Sequence, residues 1–232
     1  MQKKNTEVIR NMFDDIAPNY DRLNHNLSFG IDRYWRKKTV RALPENVHHV
    51  LDLATGTGDL AIALLKHHRQ IKVTAADFSE KMLSIAREKI QNTPLVSRIT
   101  FQQVDAMALP YEDNSFDVCT VAFGVRNFEN LLQGLQELHR VLKPKGCLLV
   151  LEFGTPQNKA INQMYKFYSH TWLPWWGRRI SKHGEAYSYL PNSIREFPCR
   201  QAFLDIMKPL QFQSQSYKNL TFGVVNIYKA IK

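Results

Sequence analysis

Cysteine is scarce in this chain. The 232 residues hold three, Cys119, Cys147 and Cys199, none at the close spacing of a zinc knuckle or a disulfide framework. Each is expected to act as a small buried apolar residue. No run of about eighteen apolar residues occurs, so no segment is expected to span a bilayer. The opening Met1-Gln2-Lys3-Lys4-Asn5-Thr6-Glu7 leads into a charged segment, and no signal peptide is expected. There is no internal repeat and no low-complexity tract. His48-His49 and His67-His68 lack Cys or carboxylate partners at ligand spacing, which predicts solvated histidines and no metal. No Walker A lysine follows the glycines of residues 56–58, which disfavours phosphoryl transfer from ATP. Acidic residues are also in deficit: 21 Asp and Glu against 31 Lys and Arg leave a net charge of +10. That balance suits an acidic partner, a nucleic acid or an anionic membrane surface.

What is present is a glycine-turned loop. Val50-Leu51-Asp52-Leu53-Ala54-Thr55-Gly56-Thr57-Gly58-Asp59-Leu60-Ala61 reads as strand, tight turn and helix. Glycine lets the backbone approach a ligand in conformations that a side chain forbids. The first N–H groups of the helix then face that ligand. Gly56-x-Gly58-x-x-Ala61 also fits the dinucleotide fingerprint. Three acids refine the choice. Asp52 lies in the strand end. Asp77 closes the next apolar run, Ile71 to Ala76, at the distance of a ribose-binding carboxylate. Asp105, followed by Ala106, succeeds a third strand. A nicotinamide enzyme shares the first two features and has no need of the third. The loop resembles motif I, D-x-x-x-G-x-G, of the class I S-adenosylmethionine-dependent methyltransferases. In that family the position of Asp105 lies against the adenine.

Strands are predicted at 49–54, 71–76, 99–104, 116–123 and 147–153, and helices at 59–68, 79–92 and 129–142. This alternation is that of a doubly wound parallel sheet. Ser79 is a good N-cap for the second of these helices. Lys143-Pro144-Lys145-Gly146 stops a helix ahead of the fifth strand. Residues 5–42 read as helical, with Pro18 as a break and a polar turn at Asn19 to Asn26. Phe212 to Ala230 reads as an antiparallel strand pair. The fold class is thus α/β and Rossmann-like, a mostly parallel seven-stranded sheet with a C-terminal antiparallel hairpin. The chain reads as one methyltransferase domain in four parts: an N-terminal helical cap (1–46), a cofactor-binding core (47–154), a helical aromatic and basic insertion (155–203) and a terminal strand pair (204–232).

Several stretches are more specific. Phe13-Asp14-Asp15-Ile16-Ala17-Pro18-Asn19-Tyr20-Asp21, Asn24 to Gly30, Phe123-Gly124-Val125-Arg126-Asn127, Leu151-Glu152-Phe153 and Tyr187-Ser188-Tyr189-Leu190-Pro191-Asn192-Ser193-Ile194 stand together in one chain. The set resembles the quinone C-methyltransferases of menaquinone and ubiquinone synthesis, from about residue 8 to the C-terminus. Two glycines usual in the family are replaced, by Ala54 and Lys145, and a common serine by Ala122.

The resemblance implies transfer of the sulfonium methyl of S-adenosylmethionine to a ring carbon of a reduced polyprenyl quinone. The expected substrate is demethylmenaquinol, with the methoxybenzoquinol of ubiquinone synthesis as the alternative. A quinol carbon is a poor nucleophile until a hydroxyl ionises. A nearby guanidinium lowers a phenol pKa by roughly 1–3 units. Arg126, just past the fourth strand, is assigned to phenolate stabilisation, against a structural ion pair as the plainer alternative. Asn127 is expected to bind the same oxygen, and Tyr20 or His25 to relay the proton. Asp52, Gly56, Thr57, Gly58, Asp77, Asp105 and Ala106 are the expected cofactor contacts. Residues 156–200 combine Trp172, Trp175 and Trp176 with Arg178, Arg179 and Lys182. Aromatic rings for the headgroup level and cations for anionic lipid predict peripheral contact with the inner face of the membrane by a cytoplasmic enzyme; a helical lid over the core is the other reading. The sequence admits a homodimer. A nucleic-acid methyltransferase is the runner-up, against which no RNA-binding module or N-P-P-[YF] motif is found, so no nucleic acid partner is expected. A scaffold that has lost catalysis is a third reading, disfavoured by Arg126, Asn127 and Tyr20.

Overall fold

The computed structural model describes residues 6–167 and 184–232. Its N-terminal cap comprises α1 (Thr6–Ile16), a 3-10 turn at Ala17–Asn19, α2 (Tyr20–Leu27) and α3 (Ile31–Val40). The core follows as β1 (His49–Leu53), α4 (Asp59–His67), β2 (Lys72–Asp77), α5 (Glu80–Ile90), β3 (Ile99–Gln103), β4 (Phe116–Ala122), α6 (Leu131–Val141) and β5 (Leu142–Phe153). Then come α7 (Lys159–Phe167), α8 (Gly184–Glu196), α9 (Gln201–Met207), β6 (Ser214–Leu220) and β7 (Val225–Ile231). Trp172, Trp175, Trp176, Arg178, Arg179 and Lys182 lie outside the described residues. Among those described, no helix is long and apolar enough to cross a membrane.

The seven strands form one sheet in the order β3-β2-β1-β4-β5-β7-β6. β1 to β5 pair in parallel, and β7 runs antiparallel to both β5 and β6. Central strands covered on both faces need continuous apolar runs, and Val50, Leu51 and Leu53 of β1 and Cys147 to Leu151 of β5 are all buried. One apolar cluster packs α6 and α9 on the sheet, and a second packs α4 on the other side. The order reverses between β1 and β4. A crevice opens at the carboxyl ends of the strands at such a point.

Local chemistry accounts for the helix starts. Ser79 Oγ accepts from the Met82 N–H at 3.1 Å and caps α5, and Asn130 Oδ1 accepts from the Gln133 N–H at 3.2 Å ahead of α6. Two expectations need correction. Asn19 to Asn26 is no turn: Tyr20–Leu27 is helix α2. Its polar composition hid an i, i+3, i+4, i+7 face of Tyr20, Leu23, Asn24 and Leu27, all of which line a cavity. The expected break at Pro18 is the 3-10 turn at Ala17–Asn19, and a second follows where Phe29 and Gly30 take φ 51° and 74°. Lys143 to Gly146 does not precede the fifth strand but lies inside it. β5 starts at Leu142, shifts register against β4 between Phe116 and Val118, and carries Lys145 at φ 65°.

Candidate active site

Two cavities open at the switch point. The first, about 850 Å³ with its mouth, is lined by Gly56, Asp77, Asp105, Ala106, Ala122, Gly124 and Asn127 under Ile9, Arg10 and Phe13 of α1. The second, about 1150 Å³ with its mouth, lies between the cap and the insertion, with Asn24, Asp32, Arg36, Arg126, Tyr165 and Tyr189 in its wall. Phe13, Tyr20 and Phe123 line both.

The loop after β1 is held from behind. Asp52 is buried and accepts from the hydroxyls of Thr55 and Thr120, each at 2.6 Å. Burial pushes its carboxyl up to about 6, against those two bonds. It lines neither cavity, so its visible work is to fix the loop. In front, the Asp77 carboxylate accepts from the N–H of Gly56 at 2.7 Å and of Ser79 at 2.9 Å. Burial raises its pKa, against those backbone bonds. Each oxygen keeps a second lone pair for a ligand. Gly56 sits at φ 57°, and a Cβ there would meet only the Tyr20 ring at 3.9 Å. Asp105 and Ala106 complete the far wall.

Thr57 and Gly58 line neither cavity. Thr57 is buried and its hydroxyl donates to Asp21 of α2. Lys89 reaches that Asp21 at 2.5 Å and Asp59 at 2.8 Å. The Ser79 hydroxyl donates to Asp14 of α1. These contacts latch the cap over the loop. Gly58, at φ 81°, packs on Ala86. Ala54 also takes a left-handed φ, 53°. A Cβ on Gly124 would lie 2.5 Å from its Cβ, so Gly124 makes room for Ala54.

Arg126 realises the ion pair considered at sequence level while also lining the second cavity. It is 4% exposed, its Nη1 lies 2.8 Å from Glu152 Oε1 and donates to Phe123 O at 2.5 Å, and its guanidinium sits 5.4 Å from the centre of the Phe153 ring. Glu152 is fully buried at the end of β5. Asn127 faces the first cavity, and its Oδ1 accepts from the Tyr189 hydroxyl at 2.9 Å. That bond joins two motifs separated by 62 residues. Burial raises the Tyr20 phenol above its ordinary value, against a hydrogen bond from Asn24 and the charges of Arg126 and Arg36. At neutral pH Tyr20 is therefore a hydrogen-bond donor.

His25 lines neither cavity. It sits five residues from Tyr20, on another face of α2. Its Nδ1 donates to Asp32 at 2.7 Å and its Nε2 lies 3.7 Å from Asp59. Burial works to raise the pKa of Asp32, but the Ser28 hydroxyl, Arg36 and His25 hold it below the usual range. His25, Asp32 and Asp59 place ligand atoms within 4.8 Å of one another. Arg36 and Lys89 already supply positive charge to those carboxylates.

Sequence reasoning assigned no role to Glu152, Asp32, Arg36, Phe13 or Phe123. Glu152 had a signal, as one acid in an apolar strand run. Asp32 and Arg36 had the i, i+4 spacing of an ion pair. Phe13 and Phe123 open two of the specific stretches, but no spacing shows that they stand where two cavities meet. Asn226, fully buried and in register with Glu152, has no hydrogen-bond partner for its amide among the described residues.

The ubiE/COQ5 methyltransferase family model matches residues 1–232. The chain is 42% identical over 230 residues to a demethylmenaquinone methyltransferase of Bacteroides fragilis, covering 99% of this chain and 94% of that one. It is 42% identical over 228 residues to a ubiquinone/menaquinone biosynthesis C-methyltransferase of Geobacter sulfurreducens, covering 97% and 89%. Among solved structures it resembles a SAM-dependent methyltransferase of Thermotoga maritima, with TM-score 0.67, 17% identity and coverage of 96% and 99%; this likeness concerns the fold.

Proposed function

The chain belongs to the ubiE/COQ5 methyltransferase family, and from that premise we propose that it methylates a ring carbon of demethylmenaquinol, with S-adenosylmethionine as methyl donor. The names of the 42%-identical relatives support this substrate, and the Geobacter name keeps the benzoquinol of ubiquinone synthesis as the second reading. One observation carries the proposal. The two cavities share Phe13, Tyr20 and Phe123, so a cofactor in one and a ring in the other meet at that junction.

The first cavity fits the cofactor. Asp77 offers carboxylate lone pairs for ribose hydroxyls, Gly56 lets the backbone come close, and Asp105 and Ala106 lie beside apolar walls from Val104, Met107 and Phe128 suited to adenine. Asp52, Thr57 and Gly58 serve the cofactor by holding the loop. When bound, the cofactor supplies an electrophilic methyl on a sulfonium.

Arg126 stabilises the quinol oxygen as its proton leaves. Glu152 and Phe123 O hold the guanidinium rigid, and a preorganised charge in a dry site acts more strongly than in water. Tyr20 donates a hydrogen bond to the same ring system, and Asn127, fixed by Tyr189, orients the ring. His25 acts at one remove: its Nδ1–H holds Asp32, whose carboxylate lines the cavity and accepts the departing quinol proton. Alignment of the reacting atoms provides the remaining rate enhancement.

The chain acts as one methyltransferase domain of cap (1–46), core (47–154), insertion (155–203) and strand pair (204–232). It works in the cytoplasm at the inner face of the membrane, as a monomer or homodimer, and requires no nucleic acid. The test is turnover with labelled S-adenosylmethionine and, in parallel, demethylmenaquinol, the benzoquinol precursor and bulk tRNA. Label in the naphthoquinol is the expected result. Label in the benzoquinol alone moves the pathway, and label in RNA overturns the proposal.

A further inference from the structure

The second cavity is lined mostly by apolar and aromatic side chains, among them Phe13, Leu23, Trp35, Phe153 and Tyr189, as small-molecule sites are. It takes a quinol ring and the first part of a polyprenyl tail. The rest of the tail must leave through the mouth, and exposing many CH₂ groups to water is strongly unfavourable. The mouth therefore has to open onto an apolar medium.

The residues around it suit one. Leu27 and Ser28 line the cavity, and the neighbouring Phe29 and Ile31 are exposed. Val224 lines it from the hairpin turn, and nearby Phe222 is 76% exposed. Trp35 lines it too and donates its indole N–H to Thr221 at 2.7 Å, which ties α3 to that turn. Tyr165 lines it from α7, where Met164 and Phe167 are 73% and 68% exposed. Phe222 also holds φ 57°, a left-handed conformation disfavoured for a bulky residue. Neither packing nor backbone preference accounts for an aromatic ring there.

Charge completes the pattern. On α3 the buried arc is Asp32, Trp35, Arg36, Thr39 and Val40. The outward arc is Ile31, Arg33, Tyr34, Lys37 and Lys38, extended by Arg41 at the helix end, and it carries no acid. The Lys38 ammonium lies 5.4 Å from the centre of the Tyr34 ring. Aromatic and aliphatic tips with cations beside them match the headgroup region of an anionic bilayer.

We infer that the rim formed by Phe222, the outward face of α3 and the α7 tip docks on an anionic bilayer, so that the quinol ring enters the second cavity while its tail stays in lipid. This deepens the quinol reading and rests on it. It assigns the docking to surfaces outside the tryptophan-rich stretch of the insertion.

The experiment uses the full chain in flotation with vesicles of phosphatidylcholine and phosphatidylglycerol, against phosphatidylcholine alone. Phe222→Asn/Tyr34→Ser is one variant; asparagine tolerates the left-handed backbone, so the turn keeps its shape. Lys37→Gln/Arg41→Gln is the other. Each is expected to lower binding to anionic vesicles roughly tenfold. Turnover on a polyprenyl quinol in those vesicles should fall with it, while turnover on a water-soluble short-tailed quinol stays at the parent level. Unchanged vesicle binding in both variants overturns the proposal. So does a lipid-independent dimer that the variants abolish, which would make the rim an interface between copies. If the parent methylates no quinol at all, the substrate reading fails, and flotation alone still decides the docking face.

Discussion

The two cavities are built differently. The walls of the first come largely from strand ends and the turns after them: Gly56 after β1, Asp77 at the end of β2, Asp105 after β3, Ala122 at the end of β4 and Phe123 and Gly124 after it. Each is a short local signal, placed by a parallel sheet whose order is itself legible. The second cavity gathers Met12, Leu23, Trp35, Arg126, Phe153, Tyr165 and Tyr189 from α1, α2, α3, β5, α7, α8 and the turn before α6. No short motif spans it. On the proposed reading, a cofactor site on strand ends can stay constant while a substrate site made of cap and insertion varies, and the two need meet only at Phe13, Tyr20 and Phe123.

That contrast predicts separable effects. The largest is expected for Arg126→Ala. Turnover should fall by roughly a hundred- to a thousandfold, since on the proposed mechanism a charge aimed at the reacting oxygen contributes about 3–4 kcal/mol. Affinity for S-adenosylmethionine should stay within a few-fold by calorimetry. The same change leaves Glu152 buried without its cation and should destabilise the fold by about 3–5 kcal/mol. Glu152→Gln added to it should restore much of that stability and none of the turnover. A large loss of cofactor affinity would break the separation between the cavities.

Next comes Asp52, which touches neither. Its folded pKa, about 6, lies above its unfolded value near 4, so between those two the native state binds more protons. Its contribution is present below the unfolded value and is lost as pH rises through about 6. Asp52→Asn removes that charge and keeps the size. It should stabilise the protein at pH 8 by up to about 3 kcal/mol, since one pKa unit is about 1.4 kcal/mol. The gain should shrink to nothing by pH 4. Denaturant titrations of both proteins across that range give the answer, and a pH-independent difference would refute the account.

Asp77→Asn should act on the first cavity alone. Loss of a charged acceptor should weaken S-adenosylmethionine by about 1.5–3 kcal/mol, a ten- to hundredfold rise in Kd. Turnover at saturating cofactor should remain near the parent. A matching fall in saturated turnover would show that the cavities are coupled beyond their shared residues. The smallest effect is a control distant from both: Lys145→Gly relaxes φ 65° and should stabilise by about 1 kcal/mol, visible as a small rise in Tm with unchanged kinetics.

The cap shows where reading along the chain stopped short. Tyr20 and His25 are close in sequence and look like one polar turn. Once α2 forms, Tyr20 and Asn24 face the cavity and His25 faces the Asp32–Arg36–Asp59 cluster. Burial then keeps Tyr20 protonated. Asp52 shows the same limit in the core: its spacing marks the loop, but only the positions of Thr55 and Thr120 reveal that its carboxylate points at hydroxyls.

Periodicity, turn chemistry and the spacing of Gly56, Asp77 and Asp105 were enough to establish the α/β sheet, the hairpin and the glycine-turned loop after β1. Those features depend on residues a few positions apart, where backbone geometry ties sequence distance to spatial distance. The ion pair of Arg126 with Glu152, the bond from Tyr189 to Asn127 and the exposure of Phe29, Phe222 and Met164 became visible only on folding. They join residues from many separate elements, and their burial, charge and exposure are properties of packing that no local spacing encodes.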